Sequence, residues 1–324
     1  MSAIISDPPV MSGPQDSRVG GISKRRRIIN LIWWSGCALG MVLVVTPVLW
    51  VLIGIVQRAV PHWTWNVFTE VSVGDNGGLL NAIVGTIMIT VGTGILAGML
   101  GIGSGIYLAE FAPKSWISSV LRAASEMLAG IPSIVFGFCG YIALVLGLHW
   151  GFSWLAALIV MALLVVPYIA KSTEIAMNQV PLTYREGAEA LGMTMPYALR
   201  KVVLRPALPG ILTGMILALS ISVGETAPLL YTAGFSNRIP SGAFLHSPVP
   251  FLTYATYAFY DSSVPATQHL AFDAALLLAI TVLGLIGLSR LLVRLTQKYS
   301  PDRKVRMTRA ERRTMASMRA GNQT

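Results

Sequence analysis

Residues Met127 to Ala170 read MLAGIPSIVFGFCGYIALVLGLHWGFSWLAALIVMALLVVPYIA, without a single Asp, Glu, Lys or Arg. Roughly 20 apolar residues cross a bilayer as a helix, so this stretch is long enough for two crossings. Leu148-His149-Trp150-Gly151 supplies the break between them. Ile28 to Gln57 and Leu79 to Ala109 are charge-free tracts of the same kind. Of the 324 residues, 54% are hydrophobic and 12% charged, about half the charge of an ordinary soluble domain. The fold class is therefore all-α and polytopic in a membrane, and a soluble enzyme is excluded. Cys37 and Cys139 both lie inside apolar tracts without a CxxC partner, which excludes a disulfide scaffold.

The pattern predicts six transmembrane helices, at about 29–56, 79–108, 124–147, 152–170, 207–231 and 270–295. Residues 28–296 then form one membrane domain, with basic tails at 1–27 and 297–324. Six crossings place both ends on one side, and 22 of the 24 Lys and Arg fall on that side, leaving Arg58 and Arg238 opposite. Basic residues are retained in the cytoplasm, so both ends are expected there. The first apolar stretch is twice the length of a signal h-region and is expected to stay in the mature chain. Residues 1–22 are too polar to order themselves. Met307, Ala310, Thr314 and Met318 recur at near-helical spacing between arginines, a pattern suited to lying on anionic lipid. The net charge of +10 is spread over these tails and loops; with no basic face on a folded soluble domain, nucleic acid is not an expected partner.

The apolar tracts carry no hydrolytic motif, no GxxxxGK[ST] phosphate loop and no metal-ligand or cofactor-binding pattern. His62, His149, His246 and His269 all fall in the expected outer loops, where satisfied loop histidines are the plain reading. Gly85, Gly92, Gly94, Gly98, Gly101, Gly103 and Gly105 stud the second span, and small residues four apart let helix backbones approach closely, either within the chain or across to another.

The longest cytoplasmic loop, about 181–206, is built as a knob. Thr183 and Glu186 have capping-box spacing behind Pro181, which predicts a short helix ending at Gly192. Thr194 and Pro196 start a second helix through Leu199, Val202 and Val203. On spacing alone this is either a tidy connector or a docking device. Glu186-Gly187-Ala188, then Gly192, then Val202 and Leu204 resemble the EAA loop of ABC-importer permeases, the knob that seats in a groove of the ATPase. Gly187 stands where that loop has its first alanine, and Arg205-Pro206 where many members have Pro then Ala. Leu128-Ala-Gly-Ile-Pro-Ser-Ile-Val-Phe-Gly137 and Gly224-Glu-Thr-Ala-Pro-Leu-Leu230 are similar to the phosphate-importer permease family PstA. That resemblance covers about residues 29–295. It implies the six-helix type I importer fold and ATPase coupling through Glu186, Gly187, Ala188 and Gly192. The implied partners are a PstC-like permease, two PstB-like ATPase subunits and a PstS-like extracytoplasmic binding protein.

Glu225 is the sole ionisable residue between Pro206 and Asn237. A charge at the centre of a span costs about 2.5–3.5 kcal/mol on insertion scales, so such an acid is functional or paired. Gly224 and Pro228 predict a local bend there. Glu225, Thr226, Ser220 and Ser222 are the expected substrate-path residues, with a structural hydrogen bond as the alternative for Glu225. A carboxylate does not attract phosphate, so its role is to orient a cation, gate the path or accept a bond from protonated phosphate. Many PstA-like chains carry Arg at the position held here by Ile221. Arg122 and Glu126, four apart, are expected to pair on one helix. Residues 250–260, with Phe251, Tyr254, Tyr257, Phe259 and Tyr260, read as an interfacial helix or a docking surface for a binding protein. A self-sufficient secondary transporter, and a permease for another oxyanion, are the competing readings.

Overall fold

The computed structural model describes residues 24–72, 77–112 and 116–297. Most of both tails, including the pattern from Met307 to Met318, lies outside the described residues. Helices make up the regular structure, and no strand occurs among the described residues. The first, α1 (Lys24–Ala59), opens inside the stretch expected as a tail. Its side chains from Arg25 to Trp50 are exposed all round, including Trp33, Trp34 and Trp50. A helix apolar on every face and open on every face has lipid or another chain as its surroundings. By packing, the chain divides after Gly54, and everything from Ile55 onward forms a second unit.

That second unit takes in the last residues of α1, and then a short turn, Val60–His62, and α2 (Asn66–Thr69). The long α3 (Leu80–Ile106) continues through a π-helical turn, Tyr107–Phe111. Next come α4 (Trp116–Gly130) and α5 (Ser133–Gly140), the latter extended by a π-helical segment, Tyr141–Gly147. Then follow α6 (Trp154–Asn178) and the loop helices α7 (Leu182–Ala190) and α8 (Met195–Ala198). A further π turn, Leu199–Val203, runs α8 into α9 (Leu204–Gly224). The chain closes with α10 (Ala227–Thr232), α11 (Leu252–Tyr260) and α12 (Pro265–Gln297). Among the described residues five helices are long and apolar enough to cross a membrane, and the pair α4/α5 is the sixth candidate.

α6 is the centre of the second unit. Of its most apolar window 61% is buried within the chain, against 6% for α12. Lipid is as apolar as leucine, so helices in it are held by close packing more than by water exclusion, and small residues at the contacts are what make that packing close. The glycines of α3 do this within the chain. A Cβ on Gly101 would sit 2.7 Å from the Cβ of Ile169, and one on Gly105 would sit 2.5 Å from the Cβ of Thr173, both residues of α6. Gly94 and Gly98 face Leu219 and Met215 of α9 instead. Only Gly103 of this helix meets nothing within 4 Å.

Several boundaries differ from expectation, among them the end of the fifth span, which stops at Gly224 and not at 231. The third span is not one rod: α4 and α5 bend by 97° at Ile131-Pro132. Pro132 has no N–H to give the helix, and its ψ of 133° turns the chain out of helical geometry. The fourth helix runs on from the expected 170 to Asn178, carrying its polar end past the apolar tract. The fifth span and the second knob helix are continuous from Met195 to Gly224, because a π turn absorbs the extra residue that would otherwise have forced a break.

Candidate coupling and translocation sites

The loop between α6 and α9 folds as a knob. Pro181, with φ −56° and ψ 140°, is the N-cap of α7, so Leu182 is already helical. This corrects the expected capping box: Thr183 lies inside the first turn and caps nothing, because the fixed φ of the proline starts the helix ahead of it. Thr194 does occupy the N-cap of α8, but without a side-chain cap bond. The far end of α7 is as read. Gly192 has φ +67°, its N–H bonds the carbonyl of Glu189 at 2.9 Å, and Met193 N–H bonds Ala188 at 3.1 Å. Those two bonds make a Schellman motif, which needs a left-handed residue at that point. Glu186 and Gly187 are exposed and Ala188 is buried. Around them Leu182, Tyr184, Leu191, Met195 and Tyr197 form an exposed, largely apolar rim.

Ion pairs missed by sequence reasoning fix this knob to the bundle. The Arg185 guanidinium donates to Glu110 at 2.6 Å and to the carbonyls of Met177 and Val180, each at 3.1 Å. Arg122 does not pair with Glu126. It donates to Glu174 of α6 at 2.8 Å and to the Leu108 carbonyl at 3.1 Å. Glu126 stays exposed, 3.9 Å from Lys171. The physical reason is burial: Glu174, 9% exposed, needs a cation more than an acid already in solvent does. Since these partners lie 52 and 75 residues apart, no local spacing announced them.

The second site is the bend after α9. Glu225 adopts extended backbone, φ −72° and ψ 133°, and its carbonyl accepts from Thr253 at 3.0 Å. Its side chain is half-buried, and among the described residues its carboxylate has no ion pair. Pro228, three residues on, is buried against α5: a Cβ on Gly137 would lie 2.7 Å from the Pro228 Cα. The segments 128–137 and 224–230, distant in sequence, therefore meet here. Ser220 and Ser222 are both buried. The Ser220 hydroxyl donates to its own helix at Ile216, 2.8 Å away, whereas the Ser222 hydroxyl finds no partner among the described residues. Thr226 is half-buried, and Ile221, one turn before Glu225, is exposed. The four residues share one short segment rather than one face.

The end of the bundle near Arg58 holds a small cluster. Arg58 stacks over the Phe272 ring at 5.1 Å, and the imidazoles of His62 and His269 lie 3.8 Å apart. His246 is a satisfied loop histidine, its Nε2 2.8 Å from the His149 carbonyl. His269 is not. α12 starts at Pro265, so His269 sits in a helix, and its buried Nδ1 has no partner among the described residues. Asp273, one turn further on, is an acid inside the last apolar helix, 2% exposed, and its Oδ1 has no hydrogen-bond partner among the described residues. A lone acid in an otherwise apolar helix was the signal available for it. No group of three or more His, Cys, Asp or Glu among the described residues is arranged to hold a metal.

Residues 101–301 match the family described as binding-protein-dependent transport system inner membrane component. The phosphate transport system permease protein PstA 2 of Mycobacterium bovis is 49% identical over 88% of this chain and 93% of its own. The corresponding PstA of Yersinia pestis is 36% identical over 75% of this chain and 83% of its own. Among solved structures, a chain of the MetNI methionine ABC transporter in an inward-facing conformation superposes with a TM-score of 0.55. It does so at 21% identity, over 67% of this chain and 95% of that one.

Proposed function

The chain belongs to the binding-protein-dependent transport inner membrane components, and we propose that it is the membrane-spanning subunit of an ATP-driven importer of inorganic phosphate. The observation that carries this reading is the meeting of Gly137 with Pro228. It joins the two segments that most resemble phosphate permeases into one bend beside Glu225, in a chain 49% identical to a phosphate transport permease over most of its length.

The chain supplies the path and not the energy. ATP hydrolysis belongs to two PstB-like partner subunits, which take the exposed Glu186 and Gly187 of α7, set over the buried Ala188, and the rim around them. A PstC-like permease completes the path, and a PstS-like binding protein delivers solute at the outer face, where α11 lies. The complex sits in the cytoplasmic membrane with the knob inside. A half-buried carboxylate repels a phosphate oxyanion, so Glu225 acts indirectly. It gates the bend or holds a cation in place, and with Ile221 on the exposed face one turn earlier, that cation comes from the partner permease. Ser222, whose hydroxyl is unpartnered, and Thr226 offer neutral hydrogen bonds to the passing solute, and Ser220 lines the same turn.

The test is uptake of labelled phosphate into vesicles holding the assembled complex. Glu225→Gln keeps shape and hydrogen bonding but removes the charge, and is expected to assemble yet lose uptake by about tenfold or more, a barrier change of at least ~1.4 kcal/mol. Glu70→Gln, exposed in the outer loop, is expected to change little. Parental uptake by Glu225→Gln makes Glu225 structural. A parental complex that ignores phosphate and carries another oxyanion returns the substrate assignment to the meaning of Ile221.

A further inference from the structure

The π turn Tyr107–Phe111 at the end of α3 is gripped from two sides. Arg185 of α7 holds the Glu110 carboxylate, and Arg122 of α4 holds the Leu108 carbonyl two residues away. Both grips are partly shielded from water, with the Arg185 and Glu110 side chains 23% and 11% exposed. A charge-assisted bond in such surroundings is stronger than a surface pair. Its geometry is also restrictive. Arg185 is tied to Glu110 and to two carbonyls at the end of α6 at once, so α7 cannot slide without moving the π turn or breaking a charged contact. Apart from the buried Ala188, the rest of α7 offers little purchase, since Leu182, Glu186 and Gly187 stand in the open. π turns inside helices often mark functional sites, where an extra residue lets a segment shift without unwinding its helix.

From the π turn the contacts lead on to the bend. α4, held by Arg122, is one arm of the 97° pair whose other arm is α5, and α5 presents Gly137 to Pro228 beside Glu225. We infer that Glu110 and Arg185 are positioning residues, a strut that carries displacement of α7 into the π turn, from which Arg122 passes it through α4 and α5 to the Glu225 bend. The inference rests on the reading of α7 as the ATPase-docking helix. The strut resists a pull on the knob, while the apolar contacts of α7 yield to it.

A chain of contacts becomes a coupling route only when coupling is measured. The measurement is solute transported per ATP hydrolysed by the assembled complex in vesicles, a ratio that a mere loss of folded protein does not move. Glu110→Gln leaves the Arg185 carbonyl bonds intact and removes only the charge. It is expected to lower the ratio roughly tenfold, within the range of ordinary coupling factors. Glu110→Asp is expected to recover part of it, and adding Arg122→Gln to Glu110→Gln to lower it by less than the product of the two single effects. A parental ratio for Glu110→Gln overturns the strut. Where Glu110→Gln fails to assemble, Arg185→Lys decides, because Lys keeps the charge but cannot reach Glu110 and both carbonyls together; a parental ratio there overturns it equally. The docking reading has its own readout, a cross-link from Glu186→Cys to an ATPase subunit in a background without Cys37 and Cys139. If that cross-link forms and the ratio is unchanged, the strut alone fails; if it does not form, the docking reading fails.

Discussion

At Gly192 a single backbone angle carries the shape of the knob. With φ +67° and no atom within 4 Å of where a Cβ would be, the site has room for a side chain but not the torsion for one. Gly192→Val therefore costs only backbone strain, about 1–2 kcal/mol for a left-handed L residue, enough to tilt a short exposed helix and too little to unfold the bundle. The expected outcome is a complex that assembles, as judged by co-purification of the ATPase, but transports less solute per ATP. Wild-type transport by a fully assembled variant would remove the knob from the coupling machinery. This residue was legible in the sequence because a left-handed helix end is a local demand that glycine alone meets cheaply. Glu225 was legible for a similar reason, as an acid flanked by Gly224 and Pro228 in an apolar run. Thr183 misled because the proline two residues ahead had already set the helix start, and Arg122 because its best partner lay on another helix. Glu110 and Arg185 gave no local sign at all: a pair 75 residues apart is written only in the fold.

Along α3, the glycines divide into those that touch a neighbour and those that do not, and that division sets the expected effect of filling them. A valine at Gly101 would drive its Cβ to 2.7 Å from Ile169 and 3.1 Å from the Val166 carbonyl, on the central helix α6. Gly101→Val is expected to lower stability by about 1–3 kcal/mol, the usual cost of overpacking a close contact. Gly103→Val, two residues on and facing nothing within 4 Å, should be tolerated. Thermal unfolding of the two variants in the same detergent checks the pair; equal loss in both would mean that the α3 and α6 backbones do not approach as described. The existence of the seam could be read from glycine spacing, but not its partner, because an all-apolar helix has no polar face to mark which side is inward. Hydropathy likewise counted six spans and ran straight through Ile131-Pro132, since a bend changes no residue's polarity. The proline that makes the bend was in plain view; what the sequence withheld was that the two arms diverge by 97° rather than kink slightly.

For the whole molecule, the proposed orientation has two independent arguments behind it. Of 24 basic residues, 22 fall on the expected side of the chain ends and the 181–206 loop, and retention of Lys and Arg during insertion favours that side as the cytoplasmic one. Separately, a knob that receives force from ATP hydrolysis must face the compartment where ATP is. The two arguments share no premise, since one concerns insertion and the other the proposed coupling. Of the outer exceptions, Arg58 is occupied by the face of Phe272 at 5.1 Å, a contact that shelters a cation on the side where none helps insertion. A reporter active only outside the cytoplasm is therefore expected to be silent when fused after residue 190, in α7, and active when fused after residue 240, between α10 and α11. Fusions at both points in one strain, scored with a reporter of the opposite preference as control, give the answer directly. Activity after 190 with silence after 240 would put the knob on the outer face, and both the charge argument and the ATPase-docking role would fall with it.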